Sequence, residues 1–100
     1  MPSTAVTPAP TVSIHVSGPL RAYCGGAAWL QLSAPSVRAA LAELERSHAL
    51  LHSSVCDETG AVRRHVNLFV NASHIRDLDG LDTALVPGDV VTILPAVSGG

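Results

Sequence analysis

Residues Gly88–Gly100 read GDVVTILPAVSGG, and the reading of this stretch decides the fold. Pro87-Gly88-Asp89 is a turn signature, because proline presets φ and glycine accepts the conformations a turn demands. Val91 and Ile93 then share one face of a strand, while Val90, Thr92 and Leu94 share the other. After Pro95 only Ala96, Val97, Ser98, Gly99 and Gly100 remain. The sequence therefore ends as a strand that carries a short free tail.

Upstream, HVNLFVN alternates around Val66, Leu68 and Val70, and Asn71-Ala72-Ser73 turns it into a short strand near His74 and Ile75. One convincing helix precedes these strands. Ser33 or Ser36 caps it and Pro35 suits its entry. Val37, Ala40, Leu41, Leu44, His48 and Leu51 recur at the three-and-four spacing of a core-facing stripe. The segment from His52 to Val62 reads as irregular, with Thr59-Gly60 as a turn. Before the helix, TVSIHV and AAWLQLSA form a hairpin around Gly18-Pro19 and Gly25-Gly26. Residues 1–11 have no periodicity and read as a disordered leader.

The order strand, strand, helix, strand, short strand, strand predicts an α+β roll of the β-grasp kind. It has a mixed sheet of four to five strands, one main helix covering the apolar face, and the last strand returning to the middle. The domain is expected over 12–95, with 96–100 as a flexible tail.

Composition narrows the function. The chain has 100 residues, 47% of them hydrophobic but only 3% aromatic, so the core is aliphatic. A net charge of −2, without runs of like charge, argues against a nucleic-acid or membrane surface. No stretch is long enough for a bilayer span and the N-terminus lacks a signal-peptide pattern, so a cytoplasmic location is expected. All six basic residues are Arg. Hydrolase, metalloprotease, Walker and dinucleotide motifs are absent, and no residue is assigned a catalytic role. Two cysteines cannot hold the iron–sulfur cluster of a β-grasp ferredoxin, which needs four thiolates.

Several side chains invite a sharper reading. His48 and His52 are four apart, but no further ligand falls at metal spacing, so no metal is expected. Cys24 and Cys56 are either persulfide relays or idle thiols and small core residues. Six of the eight acids lie between Asp57 and Asp89, either as solvated surface or as a docking patch. Strand parity turns Phe69 and Leu94 outward, which would leave an exposed apolar patch beside the tail for partner docking. A β-bulge would instead turn Phe69 inward.

The tail fits a particular chemistry. For a partner to activate a carboxylate, it must bring it against the α-phosphate of ATP through a narrow channel. Side chains would obstruct that channel, and Gly lets the backbone approach closely. The acyl-adenylate is then open to a sulfur nucleophile.

The run GDVVTILPAVSGG resembles the C-terminal signature of the bacterial ubiquitin-like sulfur carriers. That group includes the molybdopterin-synthase small subunit and the thiazole-forming carrier of thiamine synthesis. VNLFVN, Arg76 and GLDTAL resemble most closely the branch serving cysteine and thio-natural-product synthesis. The resemblance covers residues from about Thr11 to Gly100. It implies a thiocarboxylate on Gly100, with Ser98 and Gly99 threading a partner's channel. It also implies an E1-like adenylating enzyme using ATP and magnesium, which this protein does not itself bind. A sulfur donor (a sulfurtransferase, a desulfurase or sulfide) and a sulfur-accepting biosynthetic enzyme complete the system, and the free carrier is expected to be a monomer. Pro95-Ala96 stands where the molybdopterin branch usually has two prolines. The alternatives are the molybdopterin-synthase small subunit, a protein modifier forming isopeptide bonds, and a β-grasp binding module.

Overall fold

The structure is a computed structural model that describes residues 9–95. The expected leader up to residue 8, and Ser98, Gly99 and Gly100 of the expected tail, lie outside the described residues. Five strands form one mixed sheet: β1 (Thr11–Val16), β2 (Trp29–Ser33), β3 (Val66–Val70), β4 (Ser73–His74) and β5 (Val90–Pro95). Their order is β2-β1-β5-β3-β4, which is the expected β-grasp arrangement. The last strand lies in the centre, parallel to β1 and antiparallel to β3.

Period-two alternation makes the sheet two-faced. Val12, Ile14, Val16, Val66, Leu68, Val70, Val91 and Ile93 are all buried on one side. That side is covered by α1 (Val37–Ser47) and α2 (Ala49–Val55), which contribute Val37, Ala40, Leu41, Leu44, Leu51 and Val55. Ile14, Leu44, Leu51, Leu68 and Ile93 are the largest fully enclosed side chains, each contributing on the order of 2 kcal/mol by leaving water.

Ser36 starts α1. Its backbone is extended and its hydroxyl accepts the Ala39 N–H at 3.1 Å, satisfying an amide the first turn leaves open. Two expectations about the helix are corrected. The helical segment continues to Val55 instead of becoming irregular at His52, and it is broken at His48. The Ser47 hydroxyl donates to the Glu43 carbonyl at 2.8 Å, so it competes with the backbone at the break. His48 is half-exposed at the break, and Leu51 and Val55 continue the buried stripe beyond it. Further on, Asp57 organises the Thr59-Gly60 turn, its Oδ1 accepting the Thr59 and Ala61 N–H groups and the Thr59 hydroxyl.

Two boundaries also shift. Thr11 belongs to β1, and the Pro10 carbonyl accepts the Ala34 N–H at 2.9 Å, so ordered structure starts before residue 12. The β1–β2 connection contains a 3-10 turn over Gly18–Cys24, closed by Gly25 at φ 69°, where a side chain would be strained.

Replacing Ser36 with Ala should cost about 1 kcal/mol, read as a lower urea midpoint with an unchanged m-value. An unchanged midpoint would show that the cap does not hold the helix entry.

Candidate functional site: the outer sheet face

The face opposite the helices carries a row that crosses every strand. Following the ladder, Trp29 pairs with His15, His15 with Thr92, Thr92 with Phe69, and Phe69 with His74. Neighbouring strands are about 4.8 Å apart, so the row is roughly 19 Å long. At one end the Trp29 and His15 rings lie 4.5 Å apart and tilted by 48°. At the other, Phe69 and His74 meet edge-to-face at 5.1 Å. Trp29 is 56% exposed, and Leu94, opposite Asn67 and one step from the chain's exit, is 37% exposed.

The parity expected for Phe69 and Leu94 is right, since neither faces the core, and β3 runs without a bulge. The expected openness of Phe69 needs correction, because it is only half-exposed. His74 covers part of it, and His74 is itself held by both ring nitrogens. Its Nδ1 accepts the Arg76 backbone N–H at 3.0 Å, so the Nε2–H donates to Asn67 Oδ1, also at 3.0 Å. That arrangement fixes the ring against Phe69 in one orientation.

Trp29 and His15 escaped the sequence reading, although the signal existed. Ile14 and Leu30 alternate inward, so the same parity that exposed Phe69 puts His15 and Trp29 outward. Trp29 is the chain's single tryptophan. A large aromatic open to solvent on a strand marks a contact surface.

The other candidates separate cleanly. Cys56 is enclosed in the core, where burial and then the Asp57 carboxylate push its thiol up, against a smaller opposing effect of Arg63. A thiol held protonated is a poor relay. Cys24 is half-buried, its Sγ near the Ala27 carbonyl at 3.4 Å. Three of the six clustered acids are engaged in turns or pairs: Asp57 holds the Thr59-Gly60 turn, Asp89 accepts the Val86 N–H and Asn71 Nδ2, and Asp82 pairs with Arg38 at 3.1 Å. Among the described residues, no three His, Cys, Asp or Glu side chains gather as metal ligands. No described helix is long and apolar enough to cross a membrane.

With sheet order, outer row and tail root in place, the family can be decided. The ThiS family model matches residues 14–100. The chain belongs to the ThiS family. It is 35% identical over 91 residues to the sulfur carrier protein CysO of Mycobacterium tuberculosis, covering 89% of this chain and 98% of that one. The crystal structure of the mycobacterial CysO superposes with a TM-score of 0.78 at 34% identity, over 86% of this chain and 99% of that one. A chain of the Amycolatopsis orientalis BexX/CysO complex matches at 0.80 and 30% identity, over 89% and 99%. The small archaeal modifier protein 1 of Methanosarcina acetivorans matches at 0.82 and 29%, over 95% and 100%. These relatives share the β-grasp architecture of the ThiS-family chain.

If the outer face docks partners, Phe69→Ser should weaken binding of the enzyme that receives the tail. The lost His74 contact should cost about 1 kcal/mol of stability, leaving the domain folded. Thermal unfolding and calorimetric titration read the two effects. Unfolding by this one change would make Phe69 part of the core and remove it from the docking surface.

Proposed function

We propose that this protein is a sulfur carrier, a protein co-substrate whose working group is the Gly100 carboxylate. One observation carries the reading: the central strand β5 ends at Pro95, five residues before Gly100, and its outer face belongs to a row of partly exposed side chains that runs from Trp29 to His74. A five-residue extension reaches about 16 Å at roughly 3.3 Å per residue, enough to enter another protein's active site. Membership of the ThiS family and likeness to the sulfur carrier CysO support the same conclusion.

In this reading an E1-like enzyme docks on the outer face and takes Ser98-Gly99-Gly100 into its channel. A carboxylate oxygen of Gly100 attacks the α-phosphorus of ATP, and magnesium pyrophosphate leaves. Hydrosulfide, delivered by a sulfur donor, attacks the acyl carbon, and AMP leaves with the C–O bonding pair. The product is a thiocarboxylate; its sulfur bonds to the substrate of a biosynthetic enzyme, and water then cleaves the acyl–sulfur bond and supplies the oxygen that regenerates the carboxylate. The favoured sink is cysteine or a sulfur-containing metabolite. Partner enzymes supply the reaction chemistry, while this chain supplies the acyl group and the surface that positions it.

A second reading, isopeptide-forming modifier, is favoured by the match to the archaeal modifier. The chain has no lysine, so it cannot extend lysine-linked chains on itself.

With the adenylating partner, ATP, magnesium and sulfide, deletion of Gly100 should abolish thiocarboxylate formation seen by intact mass. The carboxylate would then fall about 3.3 Å short of the phosphate, and misplacement by about 1 Å already slows reaction steeply. Gly99→Val should fail through bulk, with thermal stability unchanged in both variants. Normal conversion of the deletion variant would remove Gly100 as the site.

A further inference from the structure

A groove of about 430 Å³ runs along the edge of the sheet beyond β4. β4 pairs with β3 only at Phe69 and Val70. Val66, Asn67 and Leu68 therefore have β5 on one side and this groove on the other. Val62, Ile75 and Leu81 give it apolar walls, and Arg63, Arg64 and Arg76 line it. Those are three of the chain's six cations, gathered in a protein of net charge −2. No carboxylate lines the groove; Asp77 and Asp79, close in sequence, are not among its walls.

None of these three arginines forms a salt bridge with a described residue. The salt bridges among the described residues are Arg38–Asp82 and Arg46–Glu43, on the helix side. Arg63 is steadied by its Nε donating to the Ser53 carbonyl at 2.9 Å, while Arg64 and Arg76 are exposed. An exposed cation in water is unremarkable alone. Arg63 also lies near Asp57, but Arg64 and Arg76 border an apolar cleft with no carboxylate on its walls, and that selects an occupant that is acidic and partly apolar. The apolar walls and the overall negative charge disfavour a nucleic acid, which needs a broader basic surface.

Position identifies where that occupant belongs. The groove starts at Val66, and Val66 pairs with Pro95, the root of the tail. The groove therefore opens one strand away from the root of the tail. We propose that the groove seats an acidic, partly apolar segment of the adenylating enzyme, laid along the open half of β3. The inference rests on the sulfur-carrier reading and adds a charge-selective contact to the aromatic row. Arg64 and Arg76 are docking residues in this arrangement and leave the acyl chemistry untouched.

The test uses the full-length chain and its adenylating enzyme. Arg64→Glu/Arg76→Glu should raise the dissociation constant about tenfold or more at low ionic strength. It should raise the carrier's KM with kcat unchanged, because only docking is altered. The difference should largely vanish near 1 M salt, where the screening length is about 3 Å. Arg64→Gln/Arg76→Gln should give a smaller loss in the same direction. The paired cations supply the control: Arg38→Glu/Arg46→Glu should change binding less than about twofold. Thermal melts establish that each variant is folded. Equal loss in both charge-reversed pairs, a salt-independent loss, or no loss would overturn the groove assignment while leaving a thiocarboxylated wild-type chain as a sulfur carrier. Failure of the wild type to be adenylated would overturn that reading, and this one with it. Tighter binding of a single-stranded RNA than of the enzyme, lost in the Glu pair, would assign the groove to nucleic acid instead.

Discussion

The pairing of β5 between β1 and β3 is the constraint on which the other features depend. It joins the last strand of the sheet to the first in parallel and to its predecessor in antiparallel, so Pro95 lies at the end of a central strand. Val91 and Ile93 anchor β5 to the helices from below. The Ser17 N–H donates to the Ile93 carbonyl, and Asn71 holds the other end through the Val90 N–H. A strand fixed on both sides and beneath is a rigid base, and any residues beyond Pro95 start from a defined point and direction.

That same placement builds the surface around the root. A central strand shares its outer face with neighbours on both sides, so Thr92 lies between a Trp–His pair and a Phe–His pair. Leu94 sits beside the exit. At the edge, the shortness of β4 leaves half of β3 open and produces the arginine-lined groove. The outer row and the point at which the chain leaves Pro95 are consequences of one topology. A carrier needs no catalytic constellation of its own, and the described residues present an outer row on the sheet and an arginine-lined groove at its edge.

Much of this was legible in the sequence because it rests on periodicity. Alternation in TVSIHV, VNLFV and VVTILP places the inner face, and the stripe from Val37 to Leu51 places the helix cover. Parity turns Phe69 and Leu94 outward without reference to any contact. What stayed hidden depends on register and on local competition. The helix breaks at His48, whose backbone leaves helical geometry next to the Ser47 hydroxyl bond, and no hydrophobic pattern records either. His74 shields Phe69 because the hairpin brings residues five apart face to face and the Arg76 amide fixes the ring. The Trp29–His15 pair follows from parity plus hairpin register, and only parity could be read in advance. Arg64 and Arg76, twelve positions apart, converge because β3 and β4 fold back on each other.

The central claim is that sulfur travels on the C-terminal acyl group of this chain. Its most direct measurement is the intact mass of the native protein recovered from its own cells, with thioacids trapped by an alkylating reagent at lysis. The account predicts a population carrying one oxygen-to-sulfur exchange, trapped by alkylation, with fragmentation placing it on Gly100. Recovery of the chain only as carboxylate, together with Gly100 joined to lysines of other proteins, would contradict it.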